Sequence, residues 1–186
     1  MHADPRPLRV GQTVPDFVLP STRSIDTLDK PLRFFEHPNR WLVLLFYPRD
    51  FTFVCPTELT AFSDRADAFT AIDADLVGIS TDSEFCHRAW IQTPRDKGGL
   101  GELRYPLAAD TKFEASRAFG TFVEEEGLSL RGTFIIDPAR VLRASIIHDN
   151  AVGRSVDEVL RMVQALQTGE LCPVDWRPGK PTLSPR

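Results

Sequence analysis

Trp41-Leu42-Val43-Leu44-Leu45-Phe46-Tyr47-Pro48-Arg49-Asp50-Phe51-Thr52-Phe53-Val54-Cys55-Pro56-Thr57-Glu58-Leu59 is the stretch whose reading decides the fold. Trp41 to Tyr47 is continuously apolar rather than alternating, the pattern of a strand covered on both faces in an α/β sheet. A proline-marked loop follows. Beyond it Leu59, Phe62, Ala66 and Phe69 recur at helical spacing, which predicts an amphipathic helix directly behind Cys55. Pro56 fits the first turn of that helix, where a missing N–H costs nothing. Cys55 therefore stands at a helix N-terminus, where the partial positive charge and free amides favour a thiolate, the nucleophilic form of cysteine.

Working outward, Leu76-Val77-Gly78-Ile79 reads as a second short buried strand. Asp82 or Ser83 then opens a helix through Phe85 and Trp90 that ends near Thr93, because Pro94 disfavours helical geometry in the residue before it. Thr111-x-x-Glu114 has capping-box spacing ahead of a short helix closing at Gly120, and Ser155-x-x-Glu158 has the same spacing ahead of Val156, Leu160, Val163 and Leu166. Between them, Thr133 to Ile136 and Val141 to Ile147 flank the turn-rich Asp137-Pro138-Ala139-Arg140, which predicts a hairpin. Beyond Gly169 the chain is rich in proline and glycine and reads as an arm. The expected division is a domain over 1–168 and an arm over 169–186. Strands alternating with helices, then a hairpin and a last helix, imply an α/β domain with a mixed central sheet flanked by helices. There are no internal repeats.

At 186 residues, 42% apolar and 26% charged, the chain can bury one full core. A net charge of −4 without a long basic block gives no reason to expect nucleic acid or an anionic membrane as partner. No apolar stretch approaches 18 residues, and Met1-His2-Ala3-Asp4-Pro5-Arg6-Pro7 precedes no apolar run, so a cytoplasmic protein is expected. Cys55, Cys86 and Cys172 are widely spaced and form no C-x-x-C pair, which argues against a disulfide framework and against a cysteine zinc site. His2, His37, His87 and His148 are equally scattered. Neither a metal nor another cofactor is expected.

The spacing Pro48-x-x-x-Thr52-x-x-Cys55 alone would arise by chance in roughly one chain in fifty of this length. The whole segment from Phe46 to Leu59 is far more specific, and it resembles the active-site motif of the typical 2-Cys peroxiredoxins, which include the peroxidase component of bacterial alkyl hydroperoxide reductase. The resemblance continues through Val14-Pro15-Asp16-Phe17, Ser80-Thr81-Asp82-Ser83, Cys86-His87-Arg88-Ala89-Trp90 and Arg131-Gly132-Thr133-Phe134-Ile135-Ile136-Asp137. It ends with Val152-Gly153-Arg154 and Cys172-Pro173-Val174-Asp175-Trp176-Arg177-Pro178-Gly179.

This resemblance implies a thioredoxin-like fold with an N-terminal extension and a C-terminal arm. It makes Cys55 the cysteine that attacks peroxide and becomes a sulfenic acid. Thr52 and Arg131 would contact thiolate and peroxide, Pro48 would shield the sulfur from water, and Glu58 with Arg154 would orient the pocket. Donors fixed on the moving charge are needed, because a lowered thiol pKa supplies only about 2 kcal/mol at neutral pH. Cys172 matches the cysteine that, from the partner subunit, attacks the sulfenic acid after the helix start unwinds. A thioredoxin-like protein or a flavoprotein would reduce the resulting disulfide. Relatives form antiparallel dimers that assemble into decameric rings, and Cys86 falls near the contact between dimers.

Several of these residues also have plainer readings. Cys55 elsewhere would be a small buried hydrophobe, Thr52 a helix cap, and Arg131, Glu58 and Arg154 ordinary surface charges. Cys86 is read as structural or as a subunit contact. A ring-forming holdase chaperone or a peroxide-sensing redox partner is the alternative function, although binding unfolded chains requires none of Thr52, Cys55 and Arg131. A dithiol oxidoreductase lacks its C-x-x-C, and a cysteine hydrolase lacks a histidine motif. Relatives easily overoxidised carry Gly-Gly-Leu-Gly with a C-terminal Tyr-Phe helix. Gly98-Gly99-Leu100-Gly101 is present here and a Tyr-Phe pair is not, so resistance to overoxidation is expected.

Overall fold

The computed structural model describes residues 6–183; Met1 to Pro5 and the last residues of the expected arm, Ser184 to Arg186, lie outside the described residues. Two short strands, β1 (Val18–Leu19) and β2 (Leu32–Arg33), precede β3 (Trp41–Phe46), the apolar run. Next come α1 (Cys55–Asp64), α2 (Ala66–Thr70), β4 (Ala74–Ser80) and α3 (Glu84–Gln92). The chain continues through β5 (Leu107–Ala109), α4 (Glu114–Ala118), β6 (Phe122–Val123) and β7 (Leu128–Ser129). The hairpin β8 (Arg131–Ile136) and β9 (Leu142–His148) leads to α5 (Val156–Gln167).

The main sheet has the order β5-β4-β3-β8-β9. The apolar run is its middle strand, parallel to β4 and antiparallel to β8. Alternate residues of β3 serve two cores. Val43 and Leu45, continued by Tyr47, pack with α1, α2 and α5, whereas Leu42, Leu44 and Phe46 face α4 and the N-terminal segment. The C-terminal end of β3 therefore delivers the Pro48-to-Val54 loop and α1 to one end of the sheet.

Local signals hold at α3 and α5. Ser83 caps the first, accepting from the Cys86 N–H at 3.3 Å, and Ser155 caps the second, accepting from the Glu158 N–H at 3.3 Å. Thr93 is extended at the end of α3, as Pro94 requires. Two expectations change. The helix behind Cys55 is not continuous, since the backbone at Arg65 leaves helical geometry and its N–H turns to the Phe62 carbonyl, separating α1 from α2. Thr111 caps nothing: Phe113 turns left-handed (φ 61°), and the buried Asp110 carboxylate takes the Ala115 and Ser116 N–H groups at 3.2 and 2.6 Å. A buried carboxylate needs donors, and those amides are the ones at hand.

The expected arm folds back on itself. Leu171 bridges Leu183, Trp176 is buried, and its indole N–H donates to the Lys180 carbonyl at 2.9 Å. Arg161 on α5 holds it by donating to the Trp176 carbonyl at 3.2 Å.

Candidate active site

Cys55 is the first residue of α1 and is fully buried. Val54 precedes the helix without offering a side-chain cap; Pro56 has no N–H and the Thr57 and Glu58 N–H groups turn to the Val54 carbonyl at 3.1 and 3.4 Å, so among the described residues only the Cys55 N–H of the first turn is without a backbone partner. Thr52 is not the cap, because its hydroxyl donates to the Arg49 carbonyl at 3.0 Å. That bond uses the hydroxyl's one proton and leaves its lone pairs free to accept. Pro48 is buried beneath the same loop.

From β8, the Arg131 guanidinium places Nη1 3.2 Å from Cys55 Sγ and 2.6 Å from Glu58 Oε2, while Nε donates to the Asn150 carbonyl at 2.9 Å. Glu58 stands one turn after Cys55 on α1. Its Oε1 also accepts from the Arg154 backbone N–H at 2.7 Å and from Nε at 2.8 Å, and its Oε2 accepts from Nη2 at 3.1 Å. Arg154 reaches on to the carbonyls of Phe46 and Gly132, each at 3.0 Å. Burial pushes the Glu58 carboxyl up, but the hydrogen bonds and charge of Arg154 and the charge of Arg131 outweigh it and hold the group below the ordinary glutamate range.

The charges do not cancel. Two buried guanidinium groups share one buried carboxylate, which leaves one positive charge, and its nearest sulfur is Cys55. A thiolate there completes the balance, and a peroxide oxygen gathering negative charge would meet the same donors. Of the residues expected around the sulfur, Glu58 on α1, Arg131 at the start of β8 and Arg154 in the loop before α5 form one hydrogen-bonded set that reaches it, while Pro48 and Thr52 lie in the loop that leads into α1.

Cys172 is elsewhere. It is half-buried, with Sγ 3.6 Å from the Ala165 carbonyl and 3.5 Å from the Thr168 hydroxyl, beside a cavity of about 440 Å³ lined by Ala144, Arg161, Met162, Leu166 and Val174. All three cysteines are free thiols. Burial, followed by the Asp50 and Asp82 carboxylates, pushes the Cys86 thiol up to about 12, which keeps it protonated and fits a structural role.

One cluster escaped the sequence reading. Asp50, in the loop before Cys55, accepts from the Tyr47 hydroxyl at 2.8 Å and pairs with His87 Nδ1 at 2.7 Å, all three being buried. This anchors the loop to α3. The sequence carries no local signal for it, since Asp50 follows Arg49 and His87 precedes Arg88 in mixed polar stretches. Among the described residues no group of His, Cys, Asp and Glu could hold a metal, and no helix is long and apolar enough to cross a membrane.

The AhpC/TSA family model matches residues 10–145, most of the chain, and the C-terminal domain of 1-Cys peroxiredoxin matches 165–186. The chain belongs to the AhpC/TSA family and is a typical 2-Cys peroxiredoxin. Such a peroxiredoxin is a thiol-dependent peroxidase. Its sequence is 57% identical over 145 residues to the putative peroxiredoxin YkuU of Bacillus subtilis, covering 78% of this chain and 81% of that one. It is 47% identical over 180 residues to peroxiredoxin-1 of Gallus gallus, covering 95% and 90%. Among solved structures, reduced 2-Cys peroxiredoxin of Plasmodium vivax superposes with a TM-score of 0.89 at 34% identity, covering 95% of this chain and 93% of that one. AhpC of Mycobacterium tuberculosis does so with a TM-score of 0.78 at 38% identity, covering 92% and 100%. The mixed sheet flanked by helices is the thioredoxin-like fold of these peroxiredoxins.

Proposed function

We propose that this peroxiredoxin reduces hydrogen peroxide and organic hydroperoxides through Cys55. The observation that carries the reading is the Arg131 contact, 3.2 Å from the buried Cys55 sulfur at an uncapped helix start. The Cys55 thiolate attacks one peroxide oxygen, the O–O bond breaks, and the departing oxygen takes a proton to leave as water or alcohol. Cys55 becomes a sulfenic acid. Thr52, its proton committed to Arg49, accepts the hydroperoxide O–H; Arg131 donates to sulfur and peroxide oxygen; Pro48 keeps water off the sulfur. Glu58 and Arg154 position Arg131.

In the second step Cys172 of the partner subunit attacks the sulfenic sulfur. The S–S bond forms, the S–O bond breaks, and hydroxide leaves with the thiol proton as water. Two thiols from a thioredoxin-like protein or a reduced flavoprotein then open the disulfide, in a reducing compartment such as the cytoplasm. Dimerisation has a natural seat along β9, the edge of the sheet, where Ile147 is exposed. Exposed Phe51, Phe53 and Phe85 beside the loop and α3 suit contacts between dimers in a decamer.

The test pairs two variants. Cys55→Ser should lose peroxide consumption in a thioredoxin-coupled assay while remaining folded. Cys172→Ser should consume one equivalent of peroxide yet form no covalent dimer on non-reducing electrophoresis. Retained turnover in the first would sink the role of Cys55; a persistent dimer in the second would move the resolving role to Cys86.

A further inference from the structure

No thiol can reach Cys55 while the first turn of α1 is closed, because its sulfur is fully buried and a disulfide needs Cα atoms within about 7 Å. Given the two-step reading above, that turn must open. How far the opening runs depends on what holds the remainder of the helix.

The segment from Arg95 to Tyr105, which contains Gly98-Gly99-Leu100-Gly101, is laced to α1 and α2. The buried Tyr105 hydroxyl donates to the Leu59 carbonyl at 2.9 Å, and the Arg104 N–H donates to the buried Ser63 hydroxyl at 3.0 Å. Arg95 forks onto Asp64 at 2.9 and 3.1 Å, and Arg104 onto Asp67 of α2. Among the described residues, no hydrogen bond from this segment reaches Cys55 to Glu58. The fixed path of the segment needs Gly99, where a Cβ would lie 1.9 Å from the Thr93 carbonyl oxygen.

These four ties are not equal. Both arginine forks are about half exposed and contribute little. The Tyr105 and Ser63 bonds are shielded from water, and Tyr105 adds a second donor to a carbonyl inside the helix, the first such point after the turn that carries Cys55.

We propose that Tyr105 is a positioning residue: its hydroxyl clamps α1 at Leu59, must let go when the helix opens, and thereby sets how the Cys55 sulfenic acid divides between disulfide formation and a second oxidation. The clamp slows opening. The closed helix keeps the sulfenic acid beside the peroxide site, while the open one delivers it to Cys172.

Tyr105→Phe removes the hydroxyl and keeps the ring. With the full-length reduced protein, stopped-flow fluorescence gives the rate of the peroxide step and of disulfide formation, and mass spectrometry gives sulfinic acid against peroxide. The peroxide step should stay within about twofold. Disulfide formation should quicken on the order of fivefold, the factor equivalent to one buried hydrogen bond, and the peroxide needed for half-conversion to sulfinic acid should rise by a similar factor. Ser63→Ala should shift the division in the same direction. An unchanged division in both variants, with the wild type forming its disulfide normally, would overturn the clamp even if thermal stability fell. Absence of any disulfide in the wild type would instead overturn the role of Cys172, and the clamp with it.

Discussion

Replacing Glu58 by glutamine would leave two buried guanidinium groups without their shared anion. Oε1 of Glu58 accepts two N–H groups of Arg154, and Oε2 accepts one from Arg131 and one from Arg154. A glutamine can keep one oxygen against one pair, but its NH2 then faces the two donors of the other. Two charge-assisted hydrogen bonds, at roughly 1.5–3 kcal/mol each, are lost, so the cost is about 3–6 kcal/mol. The measured penalty for stripping one partner from a buried ion pair, about 3–5 kcal/mol, agrees. Urea unfolding of the reduced protein reads this directly. Arg131 would also lose the contact that aims it at the sulfur, so the peroxide step should slow on the order of a hundredfold, the usual effect of displacing a catalytic group by about 1 Å. A stability loss below about 1 kcal/mol, or a peroxide step at the wild-type rate, would refute the view that Glu58 organises the site.

Two further outcomes follow from the same chemistry. Because Glu58 is held below its unfolded pKa of about 4.3, its contribution is fully present above that value and is lost as pH falls through the folded one; the acid limb of the stability curve should flatten in Glu58→Gln, and an unchanged limb would count against the pairing. Among the described residues the buried Thr133 hydroxyl on β8 has no hydrogen-bond partner, so Thr133→Val should stabilise the protein by about 1 kcal/mol, and a fall in melting temperature would show that the hydroxyl is satisfied by water.

What the sequence disclosed and what it withheld divide along contact range. The middle strand was legible because burial on both faces leaves a continuous apolar run, and α3 and α5 because Ser83 and Ser155 cap within three residues of themselves. The cap of α4 was misassigned because it depends on burial: Asp110 leads the strand end into the core, and that fact is absent from the local pattern of Thr111 and Glu114. The site follows the same rule. Glu58 meets Arg131 across 73 residues and Arg154 across 96, and nothing in the spacing of either arginine marks it as anything but a surface charge. Only the likeness of the surrounding motifs singled them out.

The helix that carries Cys55 also differs from α3 and α5 in a way that bears on both chemistry and movement. Each of those begins under a serine cap, whereas α1 begins at Val54 with none, a loss of about 1 kcal/mol in helix stability. A cap at that point would raise the cost of opening the first turn, and its absence serves the second step proposed here. Stability is supplied instead from outside the helix, by Arg131 and Arg154 at Glu58 and by Tyr105 at Leu59. One of the Glu58 contacts acts through the Arg131 guanidinium, which also touches the reacting sulfur, so in the proposed cycle a change at Cys55 is felt by the same hydrogen-bonded set that keeps the start of α1 closed.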